Sequence, residues 1–447
     1  MKNNKKKSKQ EKGLIGNGFF KEKYKKIMED SLYKNSIYLM ISSAVMAGFG
    51  FFFWLICARL FSAEDIGLAT TIISVMGLIA SISVLGLNSG LIRYLPTSKD
   101  KSKNVNTCFT IVALIAIIVS CIFLLGLNKF SPRLMFIKQN IIMSFAFIFF
   151  MVIYSMNSII ESVFMAIRRA KFILVKNTIF SVLKLVIPFV FIALGIAGAF
   201  GIFSAYMSAM LIGFGVVFLI LVYKFKYKPK FVFYDDVITK IGKYSFVLYL
   251  AGFIGGLTTS LMPLIITNML HPETTAYYYI AMQIVSLIFI ISGATTNSLF
   301  AEGSYNQKSL KKNVQKSIWI ISILLIPAIL LTFLFGNFIL EAFGEQYSTQ
   351  GLLFLKVMAL SAILVSINNI FGSVFKVKKK IWGIMTRNII GTVVTLGLSF
   401  ILIREYELMG IAYAYIIGQA VTAIAFWIMW KCGKKKDKLK KKTKKKK

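Results

Sequence analysis

Residues Lys224–Lys243, KFKYKPKFVFYDDVITKIGK, divide this chain. They are the longest polar interval between two lysine-rich tails. Six long apolar segments precede them, at 36–58, 66–87, 107–128, 141–163, 172–194 and 201–222. Six follow, at 244–269, 276–300, 317–340, 351–375, 384–403 and 408–430. Most exceed the ~18 apolar residues that a helix needs to cross a bilayer core. Lipid offers the backbone no hydrogen-bond partner, so segments this long must be helices. Outer-membrane strands would be ~10 residues with alternating polarity, and these runs do not alternate. The pattern predicts an all-α integral membrane protein with twelve transmembrane helices, six on either side of the divider.

Composition agrees. The 447 residues are 57% hydrophobic and mean hydropathy is +0.73, well above a soluble domain. A net charge of +36 raises the question of nucleic acid, and its placement answers it. Of 53 Lys and Arg, 11 lie in residues 1–34 and 12 in 431–447. The rest concentrate on alternate loops: 23 fall on one set with its flanks and 5 on the other. That asymmetry is the positive-inside pattern, which predicts cytoplasmic termini in the cell membrane and tails that meet anionic lipid rather than nucleic acid. Residues 1–34 read as a basic tail whose 19–34 portion suits a helix lying on the membrane surface. Cys57, Cys108, Cys121 and Cys432 show no disulfide or metal-ligand spacing, and His271 is the one histidine, so neither a metal nor another cofactor is expected.

An internal repeat organises the chain further. Glu64, Asn88-Ser89 and Lys103-Asn104 match Glu273, Asn297-Ser298 and Lys312-Asn313, all 209 residues on. Gly201-Ile202 and Ala205-Tyr206 match Gly410-Ile411 and Ala414-Tyr415 at the same offset. Six spans per unit keep both copies in one orientation, which makes them parallel repeats with a site expected at their interface. The expected units are lobes at 35–223 and 244–430, a cytoplasmic linker at 224–243 and a poly-Lys tail at 431–447.

Several stretches then resemble a known family. They are Ala58-Arg59-Leu60-Phe61-Ser62-Ala63-Glu64-Asp65-Ile66-Gly67 after the first span, Gly90-Leu91-Ile92-Arg93-Tyr94 after the second, and Tyr277–Ala281 opening the eighth. With the twelve-span pattern, they look like the polysaccharide flippases of the multidrug/oligosaccharidyl-lipid/polysaccharide exporter superfamily. The resemblance covers about residues 35–430. It implies a central V-shaped cavity lined mainly by the first, second, seventh and eighth spans. It also implies an undecaprenyl-diphosphate-type lipid-linked oligosaccharide as cargo, with glycosyltransferases or a polymerase of the same pathway as partners. The lipid II branch carries arginines within its first span. Here that span has no charge before Arg59, which favours capsule, teichoic or exopolysaccharide precursors.

Candidate site residues follow from charges and amides in apolar surroundings. Lys184 interrupts the fifth span, where a charge costs ~2.5–3.5 kcal/mol and needs water or a partner. It would attract a diphosphate, or snorkel or pair with Glu161. Lys356 lies near the outer face, where snorkelling competes with cargo contact. Arg93 at the cytoplasmic mouth suits bidentate phosphate capture, and positive-inside anchoring explains it equally. Arg59 either meets cargo or pairs with Glu64 or Asp65. Asn88, Thr259, Asn268, Gln283 and Asn297 suit sugar hydroxyls or helix-to-helix bonds. Glu161 is the candidate for ion coupling, with pairing to Arg168 as the alternative. Ser62–Asp65 reads as a capping box on the second span.

Other classes find less support. Gly242-Lys243 lacks the rest of a phosphate-binding loop. No Asp lies within any span, which weakens a cation-coupled drug antiporter. A glycosyltransferase or polymerase needs a larger external loop than Lys129–Asn140. A scaffold role would rest on the basic tails alone.

Overall fold

The computed structural model describes residues 31–378 and 380–444. The surface helix expected at 19–34 lies almost wholly outside them. Each apolar run is a helix, and the described residues contain no strand. In order they are α1 (Ser31–Leu60), α2 (Ala63–Val84), the short α3 (Leu87–Tyr94), α4 (Lys101–Leu125), α5 (Ile141–Ala166), α6 (Lys171–Ala193) and α7 (Gly198–Lys224). Beyond the divider come α8 (Asp235–Met269), α9 (Pro272–Tyr305), α10 (Leu310–Phe343), α11 (Glu345–Val377) and α12 (Ile381–Lys444). Eleven stretches among the described residues are long and apolar enough to cross a membrane.

The last of these, Trp382–Lys431, has 50 residues. At 1.5 Å per residue it would reach ~75 Å, more than twice a ~30 Å bilayer core. It does not run straight. Glu407 takes φ 48° and ψ −127°, and the chain reverses there. A Cβ on Gly418 would lie 2.1 Å from Thr395 Oγ1, and one on Gly391 3.1 Å from Thr422 Oγ1. These pairs are equidistant from the break, so α12 is an antiparallel hairpin of two segments.

Local chemistry sets the helix starts. Ser62 caps α2: its Oγ accepts from the Asp65 amide at 3.1 Å and donates to Asp65 Oδ2 at 2.7 Å. Asp100 and Asn140 cap α4 and α5 in the same way. Glu64 and Glu273 both lie in the first turns of their helices, α2 and α9, where a carboxylate favours the positive end of the dipole. The second span ends at Val84, earlier than expected. Leu85 and Gly86 are left-handed at φ 47° and 76°, and this double reversal starts α3 on a new axis.

The two sets of helices meet most tightly at the end away from the basic loops. There Phe53, Trp54 and Cys57 of α1, Ile66 of α2, Met262 and Ile266 of α8 and Ala276 of α9 share one buried cluster with Phe343 and Phe354. In lipid such contacts rest on close packing rather than on exclusion of water. Gly67 makes the closest approach: a Cβ there would lie 1.7 Å from the Pro272 carbonyl oxygen. Beside it runs a buried chain of hydroxyls. Thr71 donates to the Gly67 carbonyl at 2.8 Å, Thr71 and Thr267 are 2.5 Å apart, and Thr267 and Thr275 are 2.7 Å apart. With Thr71's proton committed, Thr267 donates to Thr71 and Thr275 to Thr267.

The divider is not a free tether. Residues 225–234 are non-helical and lie against α4. Asn106 holds them: its Nδ2 donates to the Lys228 carbonyl at 2.9 Å, and its Oδ1 accepts from the Lys230 amide at 3.2 Å and from the Tyr227 hydroxyl. Burial, with the nearby Cys108 thiol, pushes the Tyr227 hydroxyl up, so it stays protonated and can donate. The Lys103 ammonium sits 4.3 Å from the centre of the Tyr234 ring.

Candidate functional site: a polar cavity at the basic end

At the opposite end from this seal the helices part around a cavity of about 880 Å³. The break at Leu85–Gly86 brings Asn88 and Ser89 to its edge. Ser43 comes from α1, Ser81 from α2, Tyr154, Asn157, Ser158 and Glu161 from α5, and Lys176, Asn177 and Phe180 from α6. Tyr206 on α7 and Tyr249 and Ser260 on α8 complete the polar groups. A Cβ at Gly252 or Gly256, also on the wall, would meet nothing within 4 Å. The resemblance implied walls from the first, second, seventh and eighth spans. The first, second and seventh do line the cavity, through α1, α2 and α8. The eighth (α9) contributes no lining residue: its first half packs into the seal, its second half lies against α11, where Asn369 donates to Ser292 and Ser373 to the Thr296 carbonyl, and α5, α6 and α7 take its place.

Glu161 lines the cavity and its partner differs from both sequence-level alternatives. It pairs with Lys176 on the neighbouring helix, not with Arg168 or Lys184. Lys176 also donates to Asn157 Oδ1 at 2.5 Å and is 4% exposed. Along the chain it falls among the loop flanks, near the start of α6. A signal is nonetheless present: Phe172, Lys176, Phe180, Lys184 and Pro188 recur every fourth residue, and all five are buried on one stripe of α6. Asn177, one step round, donates to Ser42 Oγ on α1 at 2.8 Å and lines the cavity.

Lys184 lies one turn beyond Phe180 on that stripe and does not line the cavity. It is 3% exposed, 5.0 Å from the centre of the Phe180 ring and 5.9 Å from that of Phe53. Phe180 and Tyr206 meet edge to face at 5.0 Å and form the floor behind which it sits.

The other candidates are dispersed. Asn88 is on the cavity wall, with Oδ1 accepting from the Ser89 amide at 2.8 Å. Arg59 does not pair with Glu64 or Asp65. It donates to the carbonyls of Ala342 at 2.8 Å and Glu341 at 3.0 Å, so it caps the C-terminus of α10 and ties α1 to the second set of helices. Asn268 joins α8 to the 126–140 connection, donating to the Phe130 carbonyl at 2.8 Å and accepting from Ser131 Oγ at 3.1 Å. Lys356 lies over Phe333 of α10, 5.7 Å from its centre. Arg93 is exposed on α3, 5.6 Å from the Tyr94 ring centre. Thr259 and Asn297 are exposed and Gln283 is half-buried, and none of the three lines the cavity. Ser260, the neighbour of Thr259, does.

The chain is thus a bundle of membrane-length helices, polar and hollow at one end and sealed at the other. Three solved structures share this fold. An inward-facing multidrug-resistance MATE family transporter of the MOP superfamily superposes with a TM-score of 0.67 at 15% identity, over 88% of this chain and 97% of that one. The lipid II flippase MurJ, in an inward closed conformation, gives 0.69 at 13%, over 88% and 87%. The MATE multidrug transporter DinF-BH gives 0.62 at 17%, over 89% and 94%. At these identities the likeness is one of fold. No curated protein matches the sequence. The family is nevertheless defined: the model of the polysaccharide biosynthesis protein family matches residues 56–350, and the chain belongs to that family.

Proposed function

We propose that this protein moves an undecaprenyl-diphosphate-type lipid-linked oligosaccharide from the inner to the outer leaflet of the cell membrane, by alternating access, for surface polysaccharide synthesis. Family membership supports the pathway. The observation that carries the transport step is the blind polar cavity. Its hydroxyls, amides and tyrosines match a glycan, which offers hydroxyls at every ring and apolar sugar faces for stacking. The basic loops set its mouth at the cytoplasmic side, with both termini there, and the lobes at 35–223 and 244–430 rock about the Gly67–Pro272 contact. Arg93 near the mouth attracts the diphosphate. Lys184, behind the floor, becomes available to it when the floor rearranges.

The test is transfer of a lipid-linked oligosaccharide across proteoliposomes, read by access of an added glycosidase. The wild type is expected to transfer it. Gly256→Trp, which fills cavity space rather than core, is expected to stop transfer at an unchanged melting temperature. Transfer by that variant at the wild-type rate would refute the cavity as the route.

Glu161 on the cavity wall keeps a cation-coupled multidrug antiporter as a second reading. The Lys176 ammonium already neutralises that carboxylate. Proton-driven uptake of a cationic dye, lost in Glu161→Gln, would favour the antiporter over the flippase.

A further inference from the structure

A second concavity, of about 980 Å³, lies on the other side of the molecule, between α10, α11 and the second arm of α12. It shares no residue with the polar cavity. Its walls are apolar along most of their length, and its lysines stand at one end only. Lys311 is at the start of α10 and Lys378 follows α11. Trp427 and Trp430 flank that mouth, and the Lys431 ammonium lies 3.5 Å from the centre of the Trp427 ring. Among the described lining residues none is acidic. Both α10 and α11 turn their basic-loop ends to this mouth.

The groove has a definite length. On α10 it runs from Leu310 to Ile326, about 24 Å at 1.5 Å per residue, and on α11 from Lys378 to Ile363, about 22 Å. Half of a bilayer including its headgroups is ~20–22 Å. The groove therefore spans one leaflet, cations and tryptophans at headgroup level and apolar walls down to the midplane. Tryptophan prefers that level, and lysines there attract anionic lipid.

We infer that this groove binds one anionic phospholipid of the leaflet facing the basic loops, its phosphate between Lys311 and Lys378 and its acyl chains along α10 and α11. A zwitterionic lipid would fill the walls equally well and gain nothing from the lysines. A long prenyl carrier would exceed the one-leaflet length, and the polar cavity that would hold its headgroup is elsewhere.

The experiment is native mass spectrometry of the full-length purified protein. Micelles are doped with phosphatidylglycerol, phosphatidylcholine or undecaprenyl phosphate. The wild type is expected to retain one phosphatidylglycerol in preference to phosphatidylcholine. At about fivefold per lysine near an anionic surface, Lys311→Gln with Lys378→Gln lowers that retention roughly thirtyfold. Lys99→Gln with Lys101→Gln, an equal loss of charge on the same side but outside the groove, is expected to leave it unchanged. Ser322→Trp, which fills the groove and keeps the lysines, is expected to abolish it. Equal retention of the two phospholipids, an equal loss in the Lys99/Lys101 control, or unaltered retention in Ser322→Trp would each overturn the site. Displacement of phosphatidylglycerol by equimolar undecaprenyl phosphate would assign the groove to the carrier lipid instead.

Discussion

Replacing Gly67 by alanine is expected to open the sealed end. A Cβ at this position would lie 1.7 Å from the Pro272 carbonyl oxygen and 2.4 Å from its carbon. Ordinary contact begins at 3.4 Å, so α2 and α9 must separate by about 1.7 Å. Both obstacles are backbone and no side chain can rotate away. Thr267 lies on α8, which is joined to α9 through Leu270–His271 and the Thr267–Thr275 bond, so a parting that carries α8 along with α9 stretches the Thr71–Thr267 contact from 2.5 Å to roughly 4 Å, beyond hydrogen-bond range. Overpacking costs ~1–3 kcal/mol and an unmet buried hydroxyl ~1–3 kcal/mol, with partial relaxation of each. A combined loss of about 2–4 kcal/mol raises the opened fraction roughly 30- to 700-fold. The assay places a single cysteine at Ala276, a fully buried seal residue on α9, in a background with the four native cysteines replaced by alanine. Labelling by a membrane-impermeant maleimide, added from the outer side, is expected to accelerate at least tenfold in Gly67→Ala. Unchanged labelling in a variant that reaches the membrane in normal amounts would refute the close backbone contact as the seal.

Lys184→Ala is expected to abolish transfer of lipid-linked oligosaccharide while protein in the membrane stays at wild-type levels; transfer at the wild-type rate removes Lys184 as an essential contact. Glu161→Gln alone leaves the Lys176 ammonium without its counter-charge and is expected to lower the melting temperature in detergent. Glu161→Gln combined with Lys176→Met restores most of it, since removing both partners of a largely buried pair costs less than removing one. Asn106→Ala frees three hydrogen bonds to the divider and is expected to speed proteolysis within 228–234 several-fold. Because burial raises the Tyr227 hydroxyl, its contribution to holding that segment is complete below the unfolded tyrosine value of ~10 and declines as pH rises above it. Proteolysis of the wild type therefore accelerates above about pH 10, and Tyr227→Phe loses that pH dependence.

Helix content, the approximate place of each apolar segment and the asymmetry of basic loops were legible in the sequence because they depend on one chain segment and its solvent. Length and polarity settle whether a helix spans lipid, and a Ser62-type cap is written within four residues. The α12 hairpin was legible in the same way: the polar Arg404–Glu407 separates the apolar runs at 384–403 and 408–430, and the chain reverses there through the backbone angles of Glu407. Lys176 shows where reading along the chain fails. Read along the chain it is one more cation near a loop. It becomes a cavity residue only because α5 lies beside α6 and brings Glu161 within reach.

The sequence by itself determined an all-helical membrane protein, its polar divider and the residues able to carry charge through lipid. Tertiary structure decided which of those residues share a space. Of the ten side chains singled out, it places Asn88 and Glu161 on the cavity wall and Lys184 just behind the floor. It turns Arg59 and Asn268 into clasps between helices. The reason is geometric. Polarity inside a span states that a partner is needed, and the partner comes from whichever helix packs alongside. The divider follows the same logic: its lysines are a property of sequence, but its hold on Asn106 of α4 exists only in the folded chain.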